Sequence, residues 1–316
     1  MKIILTNDIH MASKGPVTRT DDWPETVVGK LDQIAMLARK VHASAIGIAG
    51  DVFHLRSRTS YGILYRMIEW GLGLKRDGID VLAIPGNHDE VFNRLDSIPT
   101  QALGLMFLSG AMRDVSYASA QYGEVAVVGV PYPDAQVLDN FRRVENPSGR
   151  GILMAHGFAG VQGGDFFGEP VLRYEDLVSF PFDVFHFGHD HRDAGVVTIA
   201  GKQMVNIGSL TRGSLSADAT AREVKVAVVS YQAEGPPAVQ QVRLAVKPAA
   251  EVFDLALKAQ KDREQGEIEK FVGHLTTDLS GMGRVDFTER LGRLDLPEDV
   301  RRRVVTYLDA AETANE

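Results

Sequence analysis

The chain has 316 residues and a formal net charge of −8, and its 44% hydrophobic and 24% charged residues are ordinary for a soluble globular protein. The absence of cysteine excludes disulfides and thiolate metal sites, and no apolar run approaches the ~20 residues of a membrane span, so we expect a cytoplasmic protein without a membrane partner. The acidic charge weighs against a broad nucleic-acid-binding surface, which is usually basic, but it leaves room for a local cationic patch.

The first part of the chain alternates strand-like and helix-like patterns. Apolar residues at helical spacing predict helices over residues 25–41 and 59–75. Strand-like apolar runs precede, separate and follow these helices, at residues 3–6, 46–49 and 81–84. Such alternation favours a layered α/β domain.

Strands dominate the sequence after about residue 113. They are predicted at residues 125–130, 152–155, 182–187, 196–199, 203–207, 224–231 and 239–246. Pro236 and Pro237 lie between the last two runs and indicate a hairpin loop. We therefore expect an α/β fold in which two sheets pack face to face with helices outside them.

The strand pattern stops near Lys247. We predict a domain over residues 1–247 and a helical C-terminal segment over residues 248–316, where apolar residues recur at helical spacing. An apolar face in this segment would be supplied by Phe253, Phe271, Val300, Val304 and Leu308. Such a face either docks on a partner or packs on the core, and the sequence leaves both interpretations open.

Five clusters of potential metal ligands directly follow predicted strands. In chain order they are Asp8-Ile9-His10, Gly50-Asp51, Gly86-Asn87-His88-Asp89, His156-Gly157 and Gly188-His189-Asp190-His191. Because ligands of open α/β sheets bind outside the carboxyl ends of the strands, we expect these clusters to meet. Carboxylate, amide and imidazole donors together suit manganese, iron, zinc or magnesium rather than copper(I).

In order and composition these clusters resemble the calcineurin-like metallophosphoesterases, whose pattern is Asp-x-His, Gly-Asp, Gly-Asn-His-Asp/Glu, His and Gly-His-x-His. The resemblance covers residues 1 to about 247. It implies a four-layer α/β/β/α sandwich that binds two divalent metal ions, with Mn²⁺ as the expected metal and iron, zinc or magnesium as alternatives. It implies that Asp51 bridges both ions, and it divides the other ligands into Asp8, His10 and His191 at one ion and Asn87, His156 and His189 at the other.

The same resemblance implies roles for the neighbouring residues. His88 would be a general acid near the leaving oxygen, and Asp89 would either orient His88 or cap the following segment. His54 is typical of the SbcD-type DNA repair nucleases, in which this histidine sits by the substrate phosphate. Arg56 and Arg58 would bind the phosphodiester backbone, or would belong to a solvated helix N-terminus.

A DNA-cleaving phosphodiesterase of the SbcD type is therefore the first functional hypothesis. It implies that the C-terminal segment docks on an SbcC-type ATPase, while homodimer formation stays open, and the stretch after Lys247 leaves little room for the cap domain of the larger nucleases. The alternative is a small-molecule phosphoesterase that acts on cyclic nucleotides or nucleotide phosphate esters. A Gly-rich loop over residues 157–168 carries Phe158, Phe166 and Phe167, which either stack on a base or cover the edge of the core.

Overall fold

The computed structural model describes residues 1–54, 59–146, 148–257, 259–260 and 263. Met1–Phe253 form one compact unit, and the fold given below is that of this unit. Arg56, Arg58 and most of the predicted C-terminal helices lie outside the described residues, so the predicted boundary at Lys247 stays a prediction. No helix in the described part of the chain is both long and apolar enough to cross a bilayer.

The strands of the described residues are short and lie mainly where the apolar runs predicted them. In chain order they are β1 (Lys2–Thr6), β2 (Ala45–Ala49), β3 (Asp80–Ile84), β4 (Arg113–Asp114), β5 (Ala120–Tyr122), β6 (Val125–Val130), β7 (Gly151–His156), β8 (Ala159–Gly160), β9 (Gly164–Phe166), β10 (Glu169–Arg173), β11 (Val184–Gly188), β12 (Asp193–Ile199), β13 (Lys202–Ile207), β14 (Lys225–Ser230) and β15 (Ala238–Arg243).

The α-helices of the part of the chain that the structure describes are α1 (Trp23–Val41), α2 (Tyr61–Arg76), α3 (Ala102–Leu108), α4 (Tyr174–Leu177), α5 (Ala217–Ala221) and α6 (Ala249–Val252). Short 3-10 helices span Leu95–Thr100, Asp134–Gln136 and Leu138–Arg143. The helix α1 begins two residues before its predicted start because Asp22 caps it, accepting a hydrogen bond from the backbone N–H of Glu25 at 3.1 Å.

Two six-stranded sheets make the centre of the unit. The first has the order β15-β14-β1-β2-β3-β4 and is parallel from β1 to β4, whereas β14 and β15 form the predicted antiparallel hairpin. The second has the order β12-β13-β11-β7-β6-β5 and is parallel across its four middle strands. A third sheet, β8-β10-β9, includes residues predicted as a loop. That prediction was wrong because strands of two or three residues are too short to show an alternating pattern.

Alternation along the strands assigns side chains to layers. In β1, Ile4 packs with the helices α1, α2 and α3, whereas Ile3 and Leu5 face the second sheet. In β7, Ile152 faces the first sheet and Leu153 faces the outer layer formed by α4 and the 3-10 helix 138–143. The predicted α/β/β/α sandwich is therefore confirmed, and its two buried sheets bring their carboxyl ends together.

Candidate metal centre

The five clusters lie at the carboxyl ends of five strands, as the sequence predicted. The strands β1, β2 and β3 are parallel neighbours in the first sheet, and β7 and β11 are parallel neighbours in the second. The predicted ligands are either the last residues of these strands or lie within four residues of their ends. Packing of the two sheets therefore brings residues that are up to 183 positions apart into one site.

The first donor set consists of Asp8, His10, Asp51 and His191, whose candidate ligand atoms all lie within 4.8 Å of one another. The Nε2 atoms of His10 and His191 are 3.0 Å apart. His10 Nε2 is 3.6 Å from Asp51 Oδ2, and His191 Nε2 is 3.8 Å from Asp8 Oδ1. Two imidazole nitrogens and two carboxylates thus surround one point.

The second donor set consists of Asn87, His156 and His189. The Asn87 side-chain carbonyl oxygen lies 3.1 Å from His156 Nε2 and 3.1 Å from His189 Nδ1. His156 Nε2 is also 3.5 Å from Asp51 Oδ1. The structure therefore groups the predicted ligands in the same two sets that the family resemblance implied.

Asp51 lies between the two sets and directs one carboxylate oxygen toward each. Its Oδ1 faces His156 and accepts the backbone N–H of His88 at 2.9 Å, whereas its Oδ2 faces His10 and has no hydrogen-bond partner among the described residues. The side chain is only 1% exposed. An unsatisfied buried oxygen of this kind costs about 1–3 kcal/mol or more, and a cation would satisfy it. The donors present therefore fit two divalent ions that share Asp51.

The backbone at this site is strained. Asp8, His10, Asp51 and His189 have φ angles of 50°, 49°, 52° and 84°. Residues in such sparsely populated regions cost of the order of 1–3 kcal/mol each and persist where the surrounding structure imposes them. Glycine is needed beside them, because a Cβ atom on Gly86 would overlap Asp51 Oδ1.

Hydrogen bonds fix which ring nitrogen of each histidine faces the second set. His156 Nδ1 lies 2.8 Å from the carbonyl oxygen of Ala49, which can only accept, so Nδ1 carries a proton and Nε2 is the ring nitrogen that faces the site. His189 Nε2 lies 2.9 Å from Glu169 Oε2, which leaves Nδ1 directed at Asn87 in the same way. Carbonyl and carboxylate groups commonly orient metal-binding histidines.

The sequence did not predict the role of Glu169. This residue lies on β10 and is 20 positions from His189, without a local motif that links the two. Gln136 holds the same carboxylate from the other side, donating to Oε2 at 2.5 Å. The only available signal was an acidic residue beside an aromatic-rich segment, which does not indicate a partner.

His54 and His88 line the first donor set. Their rings are stacked with centroids 4.6 Å apart, and each ring meets His10 edge-on, at 5.5 and 4.9 Å. A ligand atom from each of these three histidines falls within 4.8 Å of the other two. The structure therefore places both predicted catalytic residues beside the predicted ligands.

Asp89 joins two of the site loops. Its buried carboxylate accepts backbone N–H groups of Val52, Phe53 and Gly86, at 3.1, 2.8 and 3.0 Å. It thereby ties the loop after β2 to the loop after β3, which positions both Asp51 and Asn87. Asp89 therefore has a structural role in joining two loops. The sequence analysis did not predict this role, since it considered only orientation of His88 or capping of the following segment.

Burial and mutual charge set the protonation of the site. Burial is the main reason that the pKa of His10 falls to about 3, so its ring is neutral and its lone pair is available. Burial opposes ionisation of Asp51, but the surrounding histidines, His156 first, hold its pKa below the usual range. Burial likewise disfavours protonation of His156, yet the charge of Asp51 raises the pKa of that histidine to about 9. In the metal-free protein His156 and Asp51 are thus an ion pair.

A cavity of about 480 Å³ opens beside the first donor set. Its lining includes His10, His54, His88 and His191 on one side, and the segment from Ala12 to Val17 with Trp23 on the other. Lys14 contributes a cation to this lining. The indole N–H of Trp23 donates to the carbonyl oxygen of His10 at 3.2 Å, so the wall of the cavity is connected directly to a predicted ligand.

Several of the predicted residues are not part of the site described above because the structure does not describe them. Arg56 and Arg58 are outside the described residues, as are Phe271, Val300, Val304 and Leu308. Phe253 is described and is only 3% exposed, with the Arg19 guanidinium stacked over its ring at 4.8 Å. Phe253 therefore packs within the compact unit and does not contribute to an exposed face.

The chain resembles a known family in sequence and a solved structure in fold. A model of the calcineurin-like phosphoesterase family matches residues 1–193. The chain is similar to the solved structure of a dimetal phosphatase from Danio rerio, with 14% sequence identity and a TM-score of 0.50 over 78% of this chain and 97% of that chain. It is also similar to the Pseudomonas putida nuclease MPE, with 14% identity and a TM-score of 0.32 over 71% of this chain and 83% of that chain. Among curated proteins, none matches the sequence.

Proposed function

The chain belongs to the calcineurin-like phosphoesterase family, and from this membership and the two donor sets around Asp51 we propose that it is a phosphodiesterase that cleaves DNA. Its class, a metal-dependent phosphoesterase hydrolase, follows from the family. The observation that carries the choice of a diester is the cavity beside His54 and His88. It offers room for a nucleoside next to His88, which would protonate the leaving oxygen, and His54, which would lie by the phosphate.

The donor sets would hold two divalent cations. When bound, such ions lower the pKa of a water molecule and neutralise charge on the phosphate oxygens. Asp8, His10 and His191 would hold one ion, and Asn87, His156 and His189 the other. We propose Mn²⁺ at both positions, since carboxylate and imidazole suit manganese; iron, zinc and magnesium are compatible with similar donors.

His88 is proposed to donate a proton to the leaving oxygen. Its backbone N–H is anchored on Asp51 Oδ1, so the position of His88 is tied to the bridging carboxylate. The stacked ring of His54 lies 4.6 Å away, where it can bind the same phosphate or support protonation of its neighbour. Imidazole suits this role because it gains and loses a proton near neutral pH.

A small-molecule phosphoesterase is the second candidate, and one observation favours it. The cavity of about 480 Å³ lies at the lower end of the range for small-ligand pockets and suits a single nucleoside. Cyclic nucleotides and nucleotide phosphate esters would therefore fit as well as the end of a DNA strand. The chemistry at the phosphorus atom is the same in both cases.

Hydrolysis assays on the full chain distinguish the two candidates. Substrates would be linear and circular DNA in single- and double-stranded form, a cyclic nucleotide and a phosphate monoester, each with Mn²⁺ and with EDTA. Mn²⁺-dependent release of nucleotides from DNA is the expected result, with Asp51→Asn as the inactive control. Hydrolysis of the cyclic nucleotide or the monoester without DNA cleavage would refute the nuclease proposal and favour the alternative.

Two further proposals concern residues that lie wholly or mostly outside the described ranges. Arg56 and Arg58 are proposed to bind the DNA backbone, and replacement of both by glutamine should raise KM for DNA without changing hydrolysis of a small diester. The C-terminal segment is proposed to dock on an SbcC-type ATPase. Removal of residues 254–316 should leave hydrolysis of a small diester intact, and loss of that activity would contradict a partner-docking role.

A further inference from the structure

A continuous series of aromatic rings leads from the second donor set toward the surface. The ring of Phe158 lies 4.3 Å from that of His189, Phe166 lies 5.1 Å from Phe158, and Phe167 lies 4.4 Å from Phe166, all between ring centroids. Exposure rises along the series, from 9% at Phe158 to 89% at Phe167. We call Phe158, Phe166 and Phe167 the aromatic series.

Phe167 occupies a position that folding does not favour. It forms, with Gly168, the two-residue turn between β9 and β10, and the two residues have φ angles of 55° and 81°. Turns with both φ angles positive prefer asparagine, aspartate or glycine at the first position, because larger side chains are strained there. A phenylalanine at this position is both strained and exposed and therefore lowers the stability of the fold. Its presence is better explained by a function than by folding.

Phe92 provides a comparison within the same chain. It is also 89% exposed and has a φ angle of 56°. Among the ring contacts of the described residues, however, Phe167 and not Phe92 is linked to a donor histidine. Phe92 and Phe167 are therefore both strained and exposed, and Phe167 differs from Phe92 in its ring contacts toward the metal centre.

A cation accompanies the aromatic series. The Arg192 guanidinium lies 4.4 Å from the centroid of Phe166, and its side chain is 57% exposed although it also pairs with Asp190. A flat exposed ring beside a guanidinium, continuous with a phosphoesterase site, has the composition of a surface that stacks on bases and contacts phosphates.

We propose that Phe167 stacks on a nucleobase of a single-stranded polynucleotide whose scissile phosphate lies at the two donor sets. The strand is single because the faces of paired bases are covered by their neighbours, whereas the bases of a single strand are free to stack on a side chain. This inference rests on the proposed DNA-cleaving function and adds the form of the substrate and the residue that holds it.

The test replaces Phe167 by asparagine, which suits the turn and removes the ring. The substrates are a single-stranded oligonucleotide and bis(p-nitrophenyl) phosphate. Loss of one stacking contact should lower kcat/KM for the oligonucleotide roughly 5- to 150-fold, mainly through KM, and should leave the small diester unaffected. Phe167→Trp should retain activity on both substrates, and Tyr65→Ala, which removes another exposed ring on α2, should match the wild type.

Oligonucleotides with a single abasic position identify the stacked base. For one abasic position, the kcat/KM of the wild type should fall by the same factor as the kcat/KM of Phe167→Asn falls on the intact strand. The kcat/KM of Phe167→Asn on that abasic oligonucleotide should equal its value on the intact strand. Equal activity of Phe167→Asn and wild type on the oligonucleotide would overturn the stacking role, as would an equal loss on both substrates. A wild type that hydrolyses the small diester but no oligonucleotide would instead overturn the DNA-cleaving function itself.

Discussion

Glu169 is expected to control the affinity of the second donor set without being a ligand. Its carboxylate lies 2.9 Å from His189 Nε2 and is 27% exposed, so the hydrogen bond is partly screened by solvent. Hydrogen bonds to charged groups contribute about 1.5–3 kcal/mol, and the exposure places this one toward the lower value. At about 1.4 kcal/mol per factor of ten, Glu169→Ala should weaken one of two Mn²⁺ sites roughly 10- to 100-fold.

Calorimetric titration with Mn²⁺ measures this effect directly. The wild type should bind two ions, and the alanine variant should retain one affinity and lose part of the other. Glu169→Gln keeps an acceptor for His189 and should give an intermediate value, whereas Glu124→Ala, an 80% exposed carboxylate, is the matched control. Wild-type affinity at both sites, or equal weakening of both, would refute an orienting role confined to His189.

Three other changes have separate expected outcomes. Asp51→Asn should abolish turnover and remove both ions, because both sets share its charge; elemental analysis that finds two ions per chain would contradict the bridging role. His88→Ala should keep both ions and lower the rate ~10²–10⁴-fold, the usual contribution of a general acid, and loss of an ion would identify His88 as a ligand. Burial first, and then neighbouring guanidinium groups, lower the pKa of Lys30 to about 7. Between about pH 7 and the usual lysine pKa of about 10.4, the unfolded chain therefore binds more protons and the wild type gains stability as pH rises. The Tm of the wild type relative to that of Lys30→Met should accordingly rise over this range, and a difference in Tm that is independent of pH would contradict the assignment.

The position of the donors could be predicted from sequence because each donor follows a predicted strand closely in the chain. A residue such as Asp51 directly follows a buried strand, and parallel strands present their carboxyl ends on one edge. The division into two sets came from the family resemblance. Neither step requires knowledge of how a side chain is oriented.

Contacts made across the sheets could not be predicted in this way. Asp89 bonds to N–H groups 36 and 37 residues away, and Glu169 on β10 meets His189 although β10 and β11 belong to different sheets. Lys30 shows a related failure, since a lysine beside the apolar residues of α1 normally lies in solvent but here is 4% exposed and donates to Leu210. Tertiary packing determines the partner of each of these side chains, and a local sequence pattern does not predict that partner.

Backbone strain at the donors shows why the location of the site can be predicted from sequence whereas the orientation of its side chains cannot. Four donors with left-handed backbones, together with a buried unsatisfied oxygen on Asp51, make this region unfavourable unless the rest of the fold imposes it. The two central sheets supply that constraint, since their paired strands fix where each loop begins. Carboxylates and imidazoles held in this way lose little conformational entropy when a cation binds, and this preorganisation strengthens the binding of the cation. The apolar strands determine where the site lies, and Ala49, Asp89 and Glu169 determine how its donors point.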